Sequence, residues 1–134
     1  MQHTCEYRVY YEDTDAGGIM YHASFIRFCE RGRTEFMRAL GHSCSELVEK
    51  DGIQFVIRHL EADYFKSARL EDWLRVESTI QTLKNTSFVM KQSIFCQDSM
   101  LFSMAVTVVC IDIGGKPIRL PDDLRQKFEP YIKE

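Results

Sequence analysis

From His22 to Leu40 an apolar or small residue returns every three to four positions, at Phe25, Cys29, Gly32, Phe36 and Leu40, with Phe28 and Met37 beside them. That spacing lays one stripe along a helix and predicts a single long amphipathic α-helix. Arg27, Glu30, Arg31, Arg33, Glu35 and Arg38 occupy the other positions at separations that permit i,i+3 and i,i+4 pairing, which marks a mainly solvated face, and Gly41 follows as a C-cap. Gly32 is the exception to good helix chemistry, since a glycine in mid-helix costs roughly 1 kcal/mol against alanine. The cost has a reason if another backbone passes close by, as it would in a sheet wrapped tightly round the helix.

The remainder of the chain supplies such a sheet. A brief helical turn over Ser43–Lys50 leads to Asp51-Gly52, and candidate strands follow at Ile53–Tyr64, Trp73–Leu83, Phe88–Gln97 and Leu101–Ile113. Lys66–Arg69, Lys84–Thr86 and Asp98-Ser99 separate them as turns, so three consecutive hairpins and an antiparallel meander are expected. A further strand over Tyr7–Tyr11 precedes the helix, and Leu120–Leu124, with Pro121 at its first turn, opens a short terminal helix. The strands are long beside the usual roughly five or six residues, which suits a sheet curled around something. The expected class is therefore α+β: one long helix wrapped by a curved antiparallel sheet of about five strands, a single domain over 1–134. One such layer leaves a sheet edge and an open face uncovered, so a homodimer or homotetramer is expected.

Charge and cysteine usage exclude several functions. The net charge of −3 comes from intermixed charges, with no basic field of the kind that binds nucleic acid. The five cysteines are odd in number and lack a C-x-x-C pair, which fits neither a disulfide scaffold nor a zinc site. They read as reduced thiols of a cytoplasmic protein with no metal, and Cys29, Cys96 and Cys110 fall in apolar patterns as small hydrophobes. No apolar run reaches the roughly 18 residues of a membrane span, and the polar start is unlike a signal peptide. Peripheral attachment at the inner membrane stays open.

The densest chemistry lies in YEDTDAGGIMYH, Tyr11 to His22, where Glu12, Asp13 and Asp15 stand with two glycines, two tyrosines and a histidine just before the long helix. A helix N-terminus offers unpaired N–H groups and partial positive charge, able to hold a carbonyl oxygen as it becomes an oxyanion. A nearby carboxylate could then attack or activate water.

The run YEDTDAGGIMYHASFIRFCERGRTEFM resembles the signature of the 4-hydroxybenzoyl-CoA thioesterase family of hotdog proteins, and within it the Tol-Pal-associated acyl-CoA thioesterases. The resemblance continues through FVIRHLEADYFKSARLEDWLRV. It implies the hotdog fold and hydrolysis of acyl-CoA thioesters without a cofactor. It implies Asp15, rather than Asp13, as the catalytic carboxylate, acting as general base or as nucleophile. An amide near His22 would face the thioester carbonyl, and the His22 side chain would orient substrate or water. Gly17 and Gly18 are expected to shape the backbone of the substrate site, with Tyr21 lining the acyl pocket or packing into the core. Asp63-Tyr64 would lie near the substrate and the subunit contact, while the acyl tunnel would draw on Phe55–Leu60 and the long helix. Lys66, Arg69, Lys84 and Lys91 are candidate partners for coenzyme A phosphates. Glu12 and Asp13 read as solvated or structural, and His59 as structural. Acyl carrier protein in place of coenzyme A stays open as the thioester carrier. A second reading is a non-catalytic acyl-CoA or acyl-carrier-protein binding scaffold linked to the cell envelope, because a fold alone does not carry activity. A haloacid-dehalogenase-type reading of D-x-D fails on Gly17, which stands where threonine or valine would be needed.

Overall fold

The computed structural model describes residues 1–133. Its five strands are β1 (His3–Arg8), β2 (Gln54–Tyr64), β3 (Trp73–Leu83), β4 (Ser87–Cys96) and β5 (Ser99–Ile111), and its helices are α1 (His22–Ala39), α2 (Cys44–Glu46) and α3 (Asp122–Phe128). The strands form one antiparallel sheet in the order β1-β3-β4-β5-β2, the open curved sheet of a hotdog fold.

Helix α1 lies in the concavity because its stripe has nowhere drier to go. Phe25, Phe28, Cys29, Phe36 and Met37 are all buried in the core shared with Leu74, Val76, Ile80, Met90 and Phe102 of the sheet. At Gly32 it is side chains of the sheet, not the backbone expected, that leave no room: a Cβ there would sit 2.8 Å from Val76 Cγ1 and 3.2 Å from Gln92 Nε2. Gln92 is fully buried on β4, donates to the Cys29 carbonyl at 2.8 Å and to Ser78 Oγ at 3.0 Å, and accepts from Arg33 at 2.9 Å. A buried amide satisfied on both sides pins the helix to the sheet. The helix ends where expected, with Gly41 at φ +90° and the Gly41 and His42 amides bonded to the Arg38 and Met37 carbonyls, a Schellman closure.

Two expectations need correction. The first strand is His3–Arg8, not Tyr7–Tyr11, because the alternation that packs against the helix runs through His3, Cys5 and Tyr7. Tyr10 and Tyr11 are exposed, and Tyr11–Asp13 forms a 3₁₀ turn. Nor is there a β2–β3 hairpin: β2 pairs with β5, from Gln54↔Ile111 to Tyr64↔Phe102, and residues 65–72 cross the molecule to reach β3. Lys66–Arg69 is therefore no hairpin turn. Ala68 is fully buried, its carbonyl accepts from the Met20 amide at 2.8 Å, and Arg69 bridges Ile19, so this segment walls the loop before α1.

The consequence for β2 is an edge position in which most of its residues are exposed, including Val56, Ile57, Leu60 and Tyr64. A register shift between Ile57 and His59 bends this edge. His59 points outward beside Glu61 at 3.2 Å.

Candidate active site

Asp15 sits at the base of a small hairpin. Thr14 bridges Met20, the Asp15 amide donates to the Ile19 carbonyl at 2.9 Å, and the Gly18 amide donates back to the Asp15 carbonyl at 3.1 Å. The tip is built from Gly17 and Gly18 for two separate reasons. Gly18 has φ +82°, where a side chain is strained. Gly17 donates its amide to Asp15 Oδ1 at 2.8 Å, and a Cβ on it would stand 3.2 Å from that same oxygen. One oxygen of the Asp15 carboxylate is thus aimed by the backbone. The other accepts no hydrogen bond among the described residues, and the side chain is exposed.

Helix α1 begins immediately after this hairpin. Tyr21 occupies its N-cap in extended backbone, and no side chain caps it. The Ser24 amide is taken by the Tyr21 carbonyl at 2.9 Å, which leaves the His22 and Ala23 amides without an acceptor among the described residues, the uncapped donors of an 18-residue helix.

Asp15 and His22 line one cleft of about 340 Å³, together with Phe25, Tyr64, Lys66 and Ser67. The Tyr64 hydroxyl donates to the His22 carbonyl at 2.8 Å, while its ring packs edge-on against Phe25 and Phe102. Burial pushes the Tyr64 phenol up, so it remains a donor at neutral pH. Tyr21 is exposed, lies with its ring 4.5 Å from the His22 imidazole, and is not among the residues lining this cleft. Of the four cations singled out, Lys66 lines the cleft; Arg69, Lys84 and Lys91 do not.

A second cleft of about 310 Å³ runs between α1 and the β2 side of the sheet, walled by Met37, Phe55, Ile57, Phe88, Met90 and Val108, with Glu30 and Arg33 among its lining. Met37, Phe55 and Ile57 come from the segments expected to form an acyl tunnel, whereas Phe88, Met90 and Val108 come from β4 and β5, which were not.

Asp13 is the residue that sequence reasoning undervalued. It is 2% exposed, so it is not solvated. Its Oδ2 accepts from the Tyr10 amide at 2.9 Å, its carbonyl accepts from the Tyr21 amide at 2.8 Å and from Ser24 Oγ at 3.1 Å, and Arg27 lies 3.6 Å from Oδ1. Ser24 and Arg27 carry no sequence signal of such a role, because the pairing spans a turn, a hairpin and the first turn of the helix.

Comparison with known proteins shows the family and the fold. A family model described as "Thioesterase superfamily" matches residues 17–103, a segment that takes in His22 and Tyr64 and starts just after Asp15. The chain is 39% identical over 122 residues to the "Acyl-CoA thioesterase YbgC" of Haemophilus influenzae, covering 90% of each chain. It is 40% identical over 124 residues to the "Acyl-CoA thioester hydrolase YbgC" of Escherichia coli O157:H7, covering 91% of this chain and 92% of the relative. Among solved structures, a probable thioesterase from Bartonella henselae superposes with a TM-score of 0.88 at 37% identity, over 90% of this chain and 100% of that one.

Proposed function

This chain belongs to the thioesterase superfamily, and on that premise we propose that it hydrolyses acyl-CoA thioesters, with Asp15 as the catalytic carboxylate and the first amides of α1 as the oxyanion site. The observation that carries the proposal is the meeting, in one cleft, of a carboxylate with one hydrogen-bonded and one free oxygen and the uncapped N-terminus of a long helix. Thioester hydrolysis needs those two things: polarisation of the carbonyl, and a base or nucleophile facing its carbon.

The thioester carbonyl oxygen is held by the His22 and Ala23 amides, where the helix dipole favours the developing negative charge. Asp15 takes a proton from a water molecule as its oxygen attacks the carbonyl carbon. The tetrahedral intermediate then collapses, the C–S bond breaks, and the thiolate leaves and is protonated. In the alternative route the free Asp15 oxygen attacks the carbonyl carbon, the C–S bond breaks and the thiolate leaves, and water opens the resulting mixed anhydride to the free acid and the restored Asp15 carboxylate. General-base action is worth about 10²–10⁴ in rate, and one oxyanion donor about 2.7–4 kcal/mol. The His22 side chain orients substrate or water, and Tyr64 holds the peptide behind it. Gly17 and Gly18 shape the backbone beneath the substrate, and Tyr21 shields His22.

Lys66 meets a coenzyme A phosphate at the cleft mouth, and the acyl group follows α1 into the apolar cleft beside Phe55 and Met90. A second copy of the chain covers the exposed β2 edge in a homodimer or homotetramer. Within the superfamily we place the chain in the 4-hydroxybenzoyl-CoA thioesterase family and its Tol-Pal-associated subgroup, working in the cytoplasm or peripherally at the inner membrane, where five free cysteines stay reduced. Acyl-carrier-protein thioesters are the other substrate class to be tried.

Thiol release from a panel of aliphatic and aromatic acyl-CoAs, followed with a thiol reagent, tests the proposal. Turnover of at least one member is expected. No turnover of any acyl-CoA or acyl-carrier-protein thioester by the folded protein would leave the non-catalytic acyl-binding scaffold as the surviving reading.

A further inference from the structure

Asp13 has more burial than a turn residue needs. As a cap for the Tyr11–Asp13 turn it requires one oxygen, and Oδ2 supplies that by accepting from the Tyr10 amide. The other oxygen, Oδ1, is buried and accepts no hydrogen bond among the described residues. Burying a carboxylate oxygen in this way is unfavourable unless a cation compensates it. The one beside it is Arg27, 3.6 Å away on the next turn of α1.

Arg27 does not stop at Asp13. Its guanidinium donates to Ser24 Oγ at 2.7 Å, and Ser24 Oγ in turn donates to the Asp13 carbonyl at 3.1 Å. The Asp13 carbonyl also takes the Tyr21 amide, the last donor before the helix. A closed ring of carboxylate, guanidinium, hydroxyl and carbonyl therefore ties one residue to the first two turns of α1. That residue stands two positions before Asp15, and the far end of the Asp15 hairpin is tied separately, through Met20 to Ala68.

We propose that Asp13 and Arg27 are positioning residues for thioester hydrolysis: their ion pair sets the gap between the Asp15 carboxylate and the helix N-terminal amides. The inference rests on the reading of those two groups as the reacting machinery. Neither Asp13 nor Arg27 lines the Asp15 cleft, so each acts through the backbone it holds. Losing the pair lets the hairpin and the helix end drift apart, and a displacement of about 1 Å in a reacting geometry is enough to cost about a hundredfold in rate.

Four variants test it: Asp13→Asn, which keeps the size and the acceptor for Tyr10; Arg27→Gln; the double variant; and Arg27→Lys. Asp15→Asn is assayed beside them, with a thermal melt for each. Asp13→Asn and Arg27→Gln are each expected to lower kcat by about 10–100-fold, with KM within about twofold of wild type and a cooperative melt. The double variant falls no further than the worse single, because both break one link, and Arg27→Lys recovers most of what Arg27→Gln loses. Wild-type kcat in Asp13→Asn, or single losses that multiply in the double, would overturn the inference. Should Asp13→Asn fail to fold, the half-exposed Arg27 carries the test alone: a rise in KM with kcat kept refutes it. An inactive Asp15→Asn beside a fully active Asp13→Asn sinks this inference and spares the Asp15 reading. A fully active Asp15→Asn sinks both.

Discussion

Replacing Gly32 by alanine tests how tightly the sheet grips the helix that carries the site. The new methyl carbon would lie 2.8 Å from Val76 Cγ1, roughly 0.7 Å or more inside the optimum of about 3.5–4.0 Å for two carbons. Val76 cannot step aside, being fully buried on β3 and stiff at χ1. The second neighbour, Gln92 Nε2 at 3.2 Å, is held by Cys29 and Ser78. The helix must therefore lift. Overpacking of this kind costs about 1–3 kcal/mol, and each weakened Gln92 bond adds about 0.5–1.5 kcal/mol. Against this stands a gain of about 1 kcal/mol in helix propensity. The net expectation is a loss of about 1–3 kcal/mol, and with an unfolding entropy of about 2.1 cal/mol/K per residue over 134 residues that lowers Tm by roughly 4–11 °C. A calorimetric melt of Gly32→Ala measures it, and Val76→Ala added to it should return part of the loss by making room. An alanine variant as stable as wild type, or more stable, would refute the close approach and leave propensity alone in charge.

Three further outcomes are expected. Burial pushes the Cys29 thiol up to about 12 and Cys110 to about 11, whereas Cys44 is exposed and Cys5 and Cys96 are half-buried; at pH 8 a disulfide reagent should modify Cys44 rapidly and reach Cys29 and Cys110 only on unfolding, and a fast phase that survives when Cys44, Cys5 and Cys96 are all replaced by serine would contradict this. Burial lowers the His3 pKa, outweighing the opposing pull of Glu35, so the folded state keeps His3 neutral while the unfolded chain protonates it near 6.5. Its contribution is present above pH 6.5 and is lost as pH falls below that value, and Tm between pH 7 and 5.5 should drop more steeply in wild type than in His3→Gln; equal slopes would count against it. On the proposed homo-oligomer, Ile57→Lys with Leu60→Lys on the exposed β2 edge should lower the mass seen by light scattering to that of a monomer; a wild type that is already a monomer would refute the oligomer, and an oligomeric mass left unchanged by the substitutions would place the contact elsewhere.

What could be read in the sequence was whatever has a local period. The stripe from Phe25 to Leu40 gave α1 and Gly41 its C-cap, because each is decided within a few residues; Gly32 signalled a close neighbour, but not that side chains of β3 and β4 would be the ones to meet it. The strands were legible as strands, but alternation says which face a residue takes and not which neighbour the strand pairs with. Hence β2, joined to β3 as a hairpin by reading Lys66–Arg69 as a turn, is an edge strand on β5. Aromatic character placed the first strand too late, at Tyr10 and Tyr11, whose rings are in solvent. At the site, Asp15, Gly17 and His22 are neighbours in sequence and their grouping was visible. The burial of Asp13 was not, since its compensating charge sits on Arg27 across an intervening hairpin.

The central claim is that Asp15 carries the hydrolysis of a thioester held at the head of α1. It is tested most directly by comparing single-turnover rates of wild type and Asp15→Asn on the best acyl-CoA of the panel, with matched melting curves and matched oligomeric mass. The account predicts a rate lower by at least about a hundredfold, the low end for loss of a general base, in a variant that folds and assembles as wild type does. A rate within about twofold of wild type, far short of that loss, would contradict it and move the chemistry away from Asp15.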